Sequence, residues 1–171
     1  KAAEDSLLKL GLELNKDKSY KWSSRQAYNE LTYLGYTFKK NGKQVEVTIA
    51  DKKLSLMKTR LTKVFVRFSK DKNYDLLKLR IKFLTGNFTL YRADTLTPIK
   101  AGIYFNYSMA TDTTALCTID RYYQRLLHCQ KGRLGGKIGL SRFQMKEMEK
   151  YSFSFGYDHR VNHHFTVEQI R

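Results

Sequence analysis

Residues 31–68, LTYLGYTFKKNGKQVEVTIADKKLSLMKTRLTKVFVRF, decide the fold because their hydrophobic period changes at Ala50. Before Ala50 the composition favours strands: LTYLGYTF is aromatic and β-branched with a glycine near its centre, and VEVTI alternates like a returning strand. Between them, Asn41 and Gly42 supply the positive-φ pair that a two-residue hairpin turn prefers. After Ala50 apolar residues recur every three or four positions, which predicts a long amphipathic helix.

Further helices are predicted on both sides of this stretch. KAAEDSLLKL has helix formers, and Gly11 sits where a C-cap glycine ends a helix. Helices are also expected over residues 74–84, 113–131 and 141–150, the last opened by Ser141 as N-cap. FTVEQIR begins like another helix, with Thr166 as N-cap and Gln169 at the reciprocal capping position. The predicted inner faces are Leu54, Met57, Leu61, Val64, Phe65 and Phe68 in the long helix and Leu116, Ile119, Tyr123, Leu126 and Leu127 in the helix over 113–131.

Three short segments are predicted as strands. LELN (12–15) follows the first helix, IYFNY (103–107) follows an irregular connection at Pro98, and YSFSFGYDHR alternates aromatic residues at strand spacing. This aromatic row, Tyr151, Phe153, Phe155 and Tyr157, either forms the buried face of a strand or stacks bases. The whole pattern predicts an α+β fold, a small antiparallel sheet with a helix followed by a mostly α-helical part.

Composition indicates a folded, basic protein. The 171 residues include 42% hydrophobic residues, and 32 Lys and Arg against 16 Asp and Glu leave a net charge of +16. Such a charge attracts polyanions, nucleic acid first, with an anionic membrane surface or an acidic protein as rivals. No apolar run approaches the roughly 18 residues of a membrane span and no secretory leader is present, so we expect a soluble, cytoplasmic protein without a membrane partner. Cys117 and Cys129 are expected to be reduced and buried on a helix.

The long helix after Ala50 predicts a one-sided basic face. Residues 39–82 contain fourteen basic and four acidic residues, whereas a merely solvated helix more often mixes signs for i,i+4 pairing. Such a face would follow the phosphates of a duplex regardless of sequence; the alternative is a solvated face without a ligand. The candidate nucleic-acid-binding residues are Lys52, Lys53, Arg60, Lys63 and Arg67, with Lys70 beside them.

The segments LGLELNKDKS (10–19) and LTYLGYTFKK (31–40) resemble two consecutive motifs of the reverse transcriptase family. The first matches the pattern Gly-Leu-x-apolar-Asn-x-x-Lys-Ser/Thr of motif D, and the second matches the apolar-x-x-Leu-Gly-Tyr strand of motif E. The sequences of these two motifs resemble those of bacterial enzymes of the intron, retron and phage-defence kinds more than those of retroviral enzymes. The resemblance implies that residues 1–50 end a polymerase palm, residues 51–131 form a helical thumb, and residues 132–171 form a C-terminal extension.

In motif D the resemblance implies that Lys18 is catalytic. A lysine near the leaving pyrophosphate stabilises the developing negative charge and can donate a proton. Gly11 permits the turn of this motif, and Asn15 fixes it through side-chain to backbone hydrogen bonds. The alternative is that Lys16, Lys18 and Lys21 form a solvated charge run.

In motif E the resemblance implies a primer grip, a turn that holds the 3′ end of the primer. A glycine suits this role because its missing side chain lets the backbone approach a sugar-phosphate closely. The alternative is a glycine-containing strand in an ordinary small sheet. The implied primer-grip residues are Tyr33, Leu34, Gly35 and Tyr36.

The family holds two Mg²⁺ ions with adjacent aspartates in a Tyr-x-Asp-Asp turn upstream of motif D. This chain has no Asp-Asp pair, and Asp94 in LYRADTL stands alone and downstream. We therefore expect Mg²⁺ to be bound by upstream residues not in this chain, and both ends to be cut from a longer polypeptide. The resemblance implies a C-terminal fragment of an RNA-directed DNA polymerase that grips primer-template and assists nucleotidyl transfer.

The implied partners are an RNA template with a DNA primer, dNTPs and a structured non-coding RNA, with antiphage defence as one biological setting. A non-catalytic nucleic-acid-binding module, either maturase-like or a degenerate polymerase, is the alternative. A structural assembly domain whose basic face meets an acidic partner is a third.

Two further features have weaker patterns. The glycine-rich KGRLGGKIGL, with Lys131, Arg133 and Lys137, either cradles phosphate through backbone N–H groups or is a linker. His159 and His163 have an i,i+4 spacing that zinc ligands use on helices, but no third ligand is evident, so no metal site is predicted.

Overall fold

A computed structural model describes residues 2–13, 15, 30–91, 97–129, 136–166 and 169. Within these residues the chain forms seven helices and two small antiparallel sheets, which confirms the predicted α+β class. The helices are α1 (Ala2–Lys9), α2 (Asp51–Asp71), α3 (Tyr74–Thr85), α4 (Ile103–Tyr107), α5 (Thr114–Leu127), α6 (Arg142–Met148) and α7 (Phe153–Asp158). The strands are β1 (Glu30–Tyr33), β2 (Tyr36–Asn41), β3 (Gln44–Ile49), β4 (Asn87–Tyr91) and β5 (Pro98–Gly102).

The first helix ends as predicted, but the described residues 12, 13 and 15 do not form the strand expected after it. Gly11 adopts φ 69°, its N–H donates to the carbonyl of Leu8, and the N–H of Leu12 donates to the carbonyl of Leu7. This is a Schellman C-cap, which favours glycine at the left-handed position. The predicted strand at 12–15 is wrong for its described residues, because Leu12, Glu13 and Asn15 have no strand pairing.

The first sheet is a three-stranded meander with order β1-β2-β3. The prediction of one strand over 31–38 is wrong because Leu34 and Gly35, at φ 49° and 90°, form a tight turn between paired β1 and β2. Two positive φ values are typical of a type I′ hairpin turn. The second turn is shifted by one residue from the prediction: Asn41 pairs with Gln44, so Gly42, at φ 62°, starts the two-residue loop.

Two long helices pack their predicted faces together to build the core. Met57, Leu61, Phe65 and Phe68 of α2 are buried, and α5 buries all five of its predicted residues against them and α7. Each such side chain stabilises the fold by about 1.5–3 kcal/mol relative to an exposed position. The core also includes Ile49 from the first predicted range and Met148 from the third, so it spans all three ranges. The division into palm, thumb and extension stays a prediction.

The meander is attached to the helices at two points. The Val47 N–H donates to Thr111 Oγ1 at 2.9 Å, and the Thr111 N–H donates back to the Val47 carbonyl at 2.8 Å. On the neighbouring strand, the Tyr36 hydroxyl donates to the Asn106 carbonyl at 3.0 Å. These contacts fix the side of the sheet that faces α4 and the start of α5.

Two segments predicted as strands are helices. IYFNY forms α4, which follows Gly102 at φ 120° and buries Ile103. YSFSFGYD forms α7 from Phe153 onward, and its buried residues, Phe153, Gly156 and Tyr157, recur at helical spacing. An aromatic run this short fits either period, so contacts with the rest of the chain decide. The second sheet, β4-β5, was not predicted, and Pro98 begins one of its strands rather than an irregular connection.

The position of α7 is set by polar contacts that we call the α7 dock. Asp120 of α5 accepts hydrogen bonds from the Phe153 and Ser154 N–H groups and from the hydroxyls of Ser152 and Ser154, at 2.6–3.0 Å. The Ser152 hydroxyl also accepts from the Phe155 N–H as the N-cap of the helix. These acceptors satisfy N–H groups that the first turn of a helix leaves unpaired.

The other side of α7 lies against the end of α3. A Cβ atom at Gly156 would overlap the carbonyl oxygen of Thr85, so only glycine allows this approach. Next to it, the buried Asn87 side chain donates to the carbonyls of Gly156 and Val161 at 3.2 Å and accepts from the Tyr104 N–H at 2.8 Å. Buried polar groups need such partners. Asn87 therefore ties together β4, α4, α7 and the segment that follows.

Ser141 is the N-cap of α6 as predicted, and the predicted capping pair of Thr166 and Gln169 is confirmed. Ser141 and Gln144 form a reciprocal capping box at α6, and Thr166 and Gln169 exchange the same two hydrogen bonds. The prediction for the cysteines is wrong in part: both are free, but Cys117 is exposed and Cys129 is half-buried beyond the end of α5. None of the helices in the described part of the chain is both long and apolar enough to cross a membrane.

Candidate nucleic-acid interface

The predicted basic face lies on the outer side of α2. Because the apolar side chains of this helix face α5, basic residues on its opposite side are turned to solvent. From Lys53 to Arg67 the helix rises by roughly 21 Å. All of the predicted binding residues are exposed, namely Lys52, Lys53, Arg60, Lys63 and Arg67. We call this set the basic face.

One member of the basic face has an acidic neighbour. Arg67 Nε lies 3.7 Å from a carboxylate oxygen of Asp71, one turn further along the helix. Exposed pairs of this kind contribute at most about 1 kcal/mol and are screened by salt. The pair weakens the positive field at the C-terminal end of the basic face, next to Arg67.

The β1-β2 turn packs on the N-terminal end of the basic face. A Cβ atom placed on Gly35 would lie 2.7 Å from Cε and 3.3 Å from Cγ of Lys53, so the lysine stem occupies the space that the glycine leaves. The Gly35 carbonyl also accepts a hydrogen bond from the Ala50 N–H at 3.0 Å. The structure thus brings together two predicted sites that lie eighteen positions apart in the sequence.

A groove separates this turn from the first half of α2. Its volume is about 490 Å³, and its lining includes Thr32, Gly35, Ala50, Lys52, Lys53 and Leu56. Leu56 is 43% exposed although it is apolar. The groove is therefore lined by apolar side chains, the Gly35 backbone and two lysines.

The predicted primer-grip residues have different surroundings. Tyr33 and Leu34 are 62% and 78% exposed at the turn. Tyr36 is half-buried, with its ring 6.3 Å from that of Tyr107 and its hydroxyl donating to the Asn106 carbonyl. Tyr36 therefore connects the sheet to α4, whereas the side chains of Tyr33 and Leu34 remain exposed.

A second groove continues the basic face towards α3. It has a volume of about 430 Å³, its walls include Val64, Leu76, Leu79, Phe83 and Leu84, and its basic residues are Arg60, Lys63 and Arg80. Arg80 was missed from the sequence because it belongs to another helix and joins the face only through packing of α3 on α2. Arg60 also lies near Tyr107, where burial raises the pKa of the hydroxyl and the Arg60 charge acts in the opposite direction.

The motif D residues are placed only in part. Gly11 forms the helix-ending turn described above, and Asn15 is exposed. Lys18, the predicted catalytic residue, lies outside the described residues together with Lys16 and Lys21. No group of three or more His, Cys, Asp or Glu side chains that could hold a metal ion occurs among the residues that the structure describes.

The remaining predicted features lie apart from the basic face. Lys72 donates to the carbonyls of Lys137 and Ile138 in the described part of the glycine-rich segment, where these carbonyls thus face a cation; Lys131 and Arg133 lie outside the described residues. His159 stacks on Phe155. His163 packs over Gly86, and burial, followed by the charges of Lys82 and His164, lowers its pKa below the ordinary 6.5.

Comparison with known proteins adds no relative: no family description, no curated protein and no solved structure matches this chain.

Proposed function

We propose that the chain is the C-terminal part of an RNA-directed DNA polymerase and that it holds a primer-template duplex between the basic face and the β1-β2 turn. The contact between Gly35 and Lys53 is the observation that supports this role best. It places the turn that the motif E resemblance associates with the primer end beside a row of exposed cations.

The chemistry of the basic face suits a phosphate backbone. Its lysines and arginines are exposed, extend over roughly 21 Å of helix and lie on one side. Contacts of this kind neutralise phosphates without reading bases, so binding should not depend on sequence and should weaken steeply with salt. The glycine in the adjoining turn leaves room for the Lys53 stem, which holds this cation beside the exposed Tyr33 and Leu34.

The catalytic part of the proposal depends on the resemblance. Lys18 would assist departure of pyrophosphate from the incoming dNTP by charge stabilisation and proton donation. The described residues do not fit a Mg²⁺ site, because none of them gather into a group of three or more potential ligands. The resemblance assigns Mg²⁺ to residues upstream of this chain, and no step is derived from it.

The test compares two fourfold variants that lower the net charge equally. In the first, Lys53, Arg60, Lys63 and Arg67 are changed to Gln; in the control, the exposed Arg121, Arg125, Arg142 and Lys146 are changed to Gln. Affinity for a blunt RNA/DNA duplex is measured by fluorescence anisotropy at several salt concentrations. The basic-face variant should bind the duplex much more weakly than wild type between about 50 and 200 mM salt. Its slope of log affinity against log salt concentration should flatten by about 3 to 4.

The control variant should keep the wild-type slope to within about 1, since its residues lie on α5 and α6. Equal flattening in both variants would mean that only net charge matters and would contradict a defined duplex site. The alternative of a non-catalytic binding module shares this interface. Primer extension by the longer polypeptide, with and without Lys18→Ala, separates the two: the polymerase loses incorporation rate at unchanged duplex affinity, whereas the module extends no primer at all.

A further inference from the structure

A second surface combines planar cationic and aromatic side chains at the end of α7. His159 stacks on Phe155 with a centroid distance of 4.0 Å and an interplanar angle of 20°. The guanidinium carbon of Arg160 lies 4.4 Å from the ring centroid of Tyr104. We call these four residues the stacking platform. Two consecutive residues of the chain thus each lie on an aromatic ring.

The outer faces of the stacking platform are open to solvent. Phe155 is 52% exposed, and His159 and Arg160 are exposed. Arg160 adopts φ 49°, a left-handed conformation that is uncommon for residues other than glycine. This backbone turn directs consecutive side chains onto different rings, one on α7 and one on α4.

The fold does not require these exposed side chains. The inner residues of α7 are Phe153, Gly156 and Tyr157, and the α7 dock holds the helix from the other side. A large apolar ring that projects outward beside them adds little burial. The charge around the stacking platform is mainly positive, with Lys100 placed 5.8 Å from the Phe105 ring next to Tyr104 and Asp158 as the acidic neighbour.

We infer that the stacking platform binds single-stranded nucleic acid by stacking two neighbouring bases, one on the His159–Phe155 pair and one on the Arg160–Tyr104 pair. Bases stack on aromatic rings and on guanidinium planes, and each such contact tolerates any base because every base has a π-face. The bases of a duplex are already stacked within it, so this surface suits an unpaired strand. The nearby cations attract its phosphates.

A chain of contacts joins the stacking platform to the candidate interface. Tyr36 of the sheet contacts Tyr107 of α4, the Tyr157 hydroxyl donates to the Tyr107 carbonyl at 3.0 Å, and the Tyr157 ring lies 5.3 Å from that of Tyr104. Since the inference rests on the proposed function for the origin of its ligand, the unpaired strand would be an overhang of the duplex held on α2.

The test uses the 171-residue chain and three single variants. Phe155→Ala removes one stacking surface, Arg160→Lys keeps the charge but loses the plane, and Phe143→Ala is the matched control. Phe143 is 78% exposed and lies on α6, outside the stacking platform. The probes are a single-stranded DNA oligonucleotide carrying 2-aminopurine, whose emission reports stacking, and a blunt RNA/DNA duplex.

Phe155→Ala and Arg160→Lys should each weaken single-strand binding by about 5- to 100-fold and reduce quenching of 2-aminopurine, with duplex affinity unchanged. Phe143→Ala should behave like wild type. Wild-type single-strand affinity in both platform variants would overturn the inference, and so would loss of duplex and single-strand binding alike. If Phe155→Ala unfolds, Arg160→Lys decides alone. If the proposed function is wrong but this inference is right, the result is different. The wild-type chain would not bind the duplex, while single-strand binding would still depend on Phe155.

Discussion

The α7 dock and the basic face of α2 satisfy their polar groups in different ways. In the dock, Asp120 accepts four hydrogen bonds, and on the other side of α7 the Asn87 side chain makes three, all within the chain. On the basic face, Arg67 has an acidic neighbour at 3.7 Å, and all five members are exposed. The side chains that hold α7 are explained by the fold itself. For those of the basic face, phosphate binding is the role that we propose.

The largest loss of stability is expected where α7 packs on α3, from Gly156→Ala. The added methyl group overlaps the Thr85 carbonyl oxygen, which is backbone and cannot move without displacing α7 from α3. We expect the free energy of unfolding to fall by about 3 kcal/mol, measured by urea denaturation.

Gly136→Ala is the control for Gly156→Ala. Gly136 has φ 70°, and no other described atom lies within 4 Å of the position that an added Cβ would take. The free energy of unfolding should therefore fall by only about 1–2 kcal/mol, the cost of a side chain in the left-handed conformation. Equal losses of stability in the two variants would show that α7 packs less tightly on the end of α3 than its geometry indicates.

The next largest effect is expected from Asp120→Ala, which removes the acceptor for the first turn of α7. We expect a loss of about 2 kcal/mol, because two N–H groups and two hydroxyls lose their partner at a half-buried site. Asp112→Ala provides the comparison at an exposed site, where the carboxylate accepts from the N–H and hydroxyl of Thr114. Its loss should be about 0.5–1 kcal/mol. A larger loss for Asp112 than for Asp120 in thermal or urea unfolding would reverse the assignment.

The same contrast explains which elements were predictable from the sequence. The inner faces of α2 and α5 repeat over three to five turns, so the 3.6 period is unambiguous. The predicted inner residues are buried, except that Leu54 and Val64 are half-buried against the core. Capping by Ser141 depends only on the neighbouring sequence and was also predicted. In contrast, α4 and α7 span five and six residues, and their helical state depends on Gly102, Asp120 and Thr85, which contact them from distant positions.

The exposure of the candidate cations was predictable from the sequence, but their surroundings were not. A basic stripe follows from helical spacing alone, and all five predicted cations are exposed. The packing of Gly35 on Lys53 and the approach of Arg80 depend on tertiary structure, which local sequence patterns do not contain. The Leu34-Gly35 pair already indicated that 31–38 divides into two strands, since a glycine within a strand pattern often marks a break.

The smallest effect is expected at a place where charge does contribute to the fold. Glu147 of α6 accepts from the ammonium of Lys78 and, at 2.6 Å, from the hydroxyl of Tyr74, both on α3. The hydrogen bond from Lys78 is the largest cause, followed by that from Tyr74, of a pKa of Glu147 below the ordinary 4.5. Because the folded state has the lower pKa, the contact stabilises the fold above about pH 4.5, and this contribution is lost as the pH falls through the folded-state pKa.

Glu147→Gln should therefore lower the melting temperature at neutral pH, and the two melting curves should converge on acidification. Asp75→Asn, an exposed change in the first turn of α3, is the control and should show no such convergence. The measurement is circular dichroism melting across the acidic range. A difference between Glu147→Gln and wild type that persists at the lowest pH would mean that side-chain shape, rather than ionisation, is responsible.

The contact of Gly35 with Lys53 also affects how much side-chain entropy Lys53 would lose when it binds an anion. A free lysine side chain loses about 1.5–2 kcal/mol of rotamer freedom when it is immobilised. Because the stem of Lys53 already rests against the β1-β2 turn, with Cγ and Cε both close to Gly35, part of that freedom is lost before any ligand arrives. Lys53 is thus preorganised in a way that a lysine surrounded only by water is not, and preorganisation raises affinity without adding a contact.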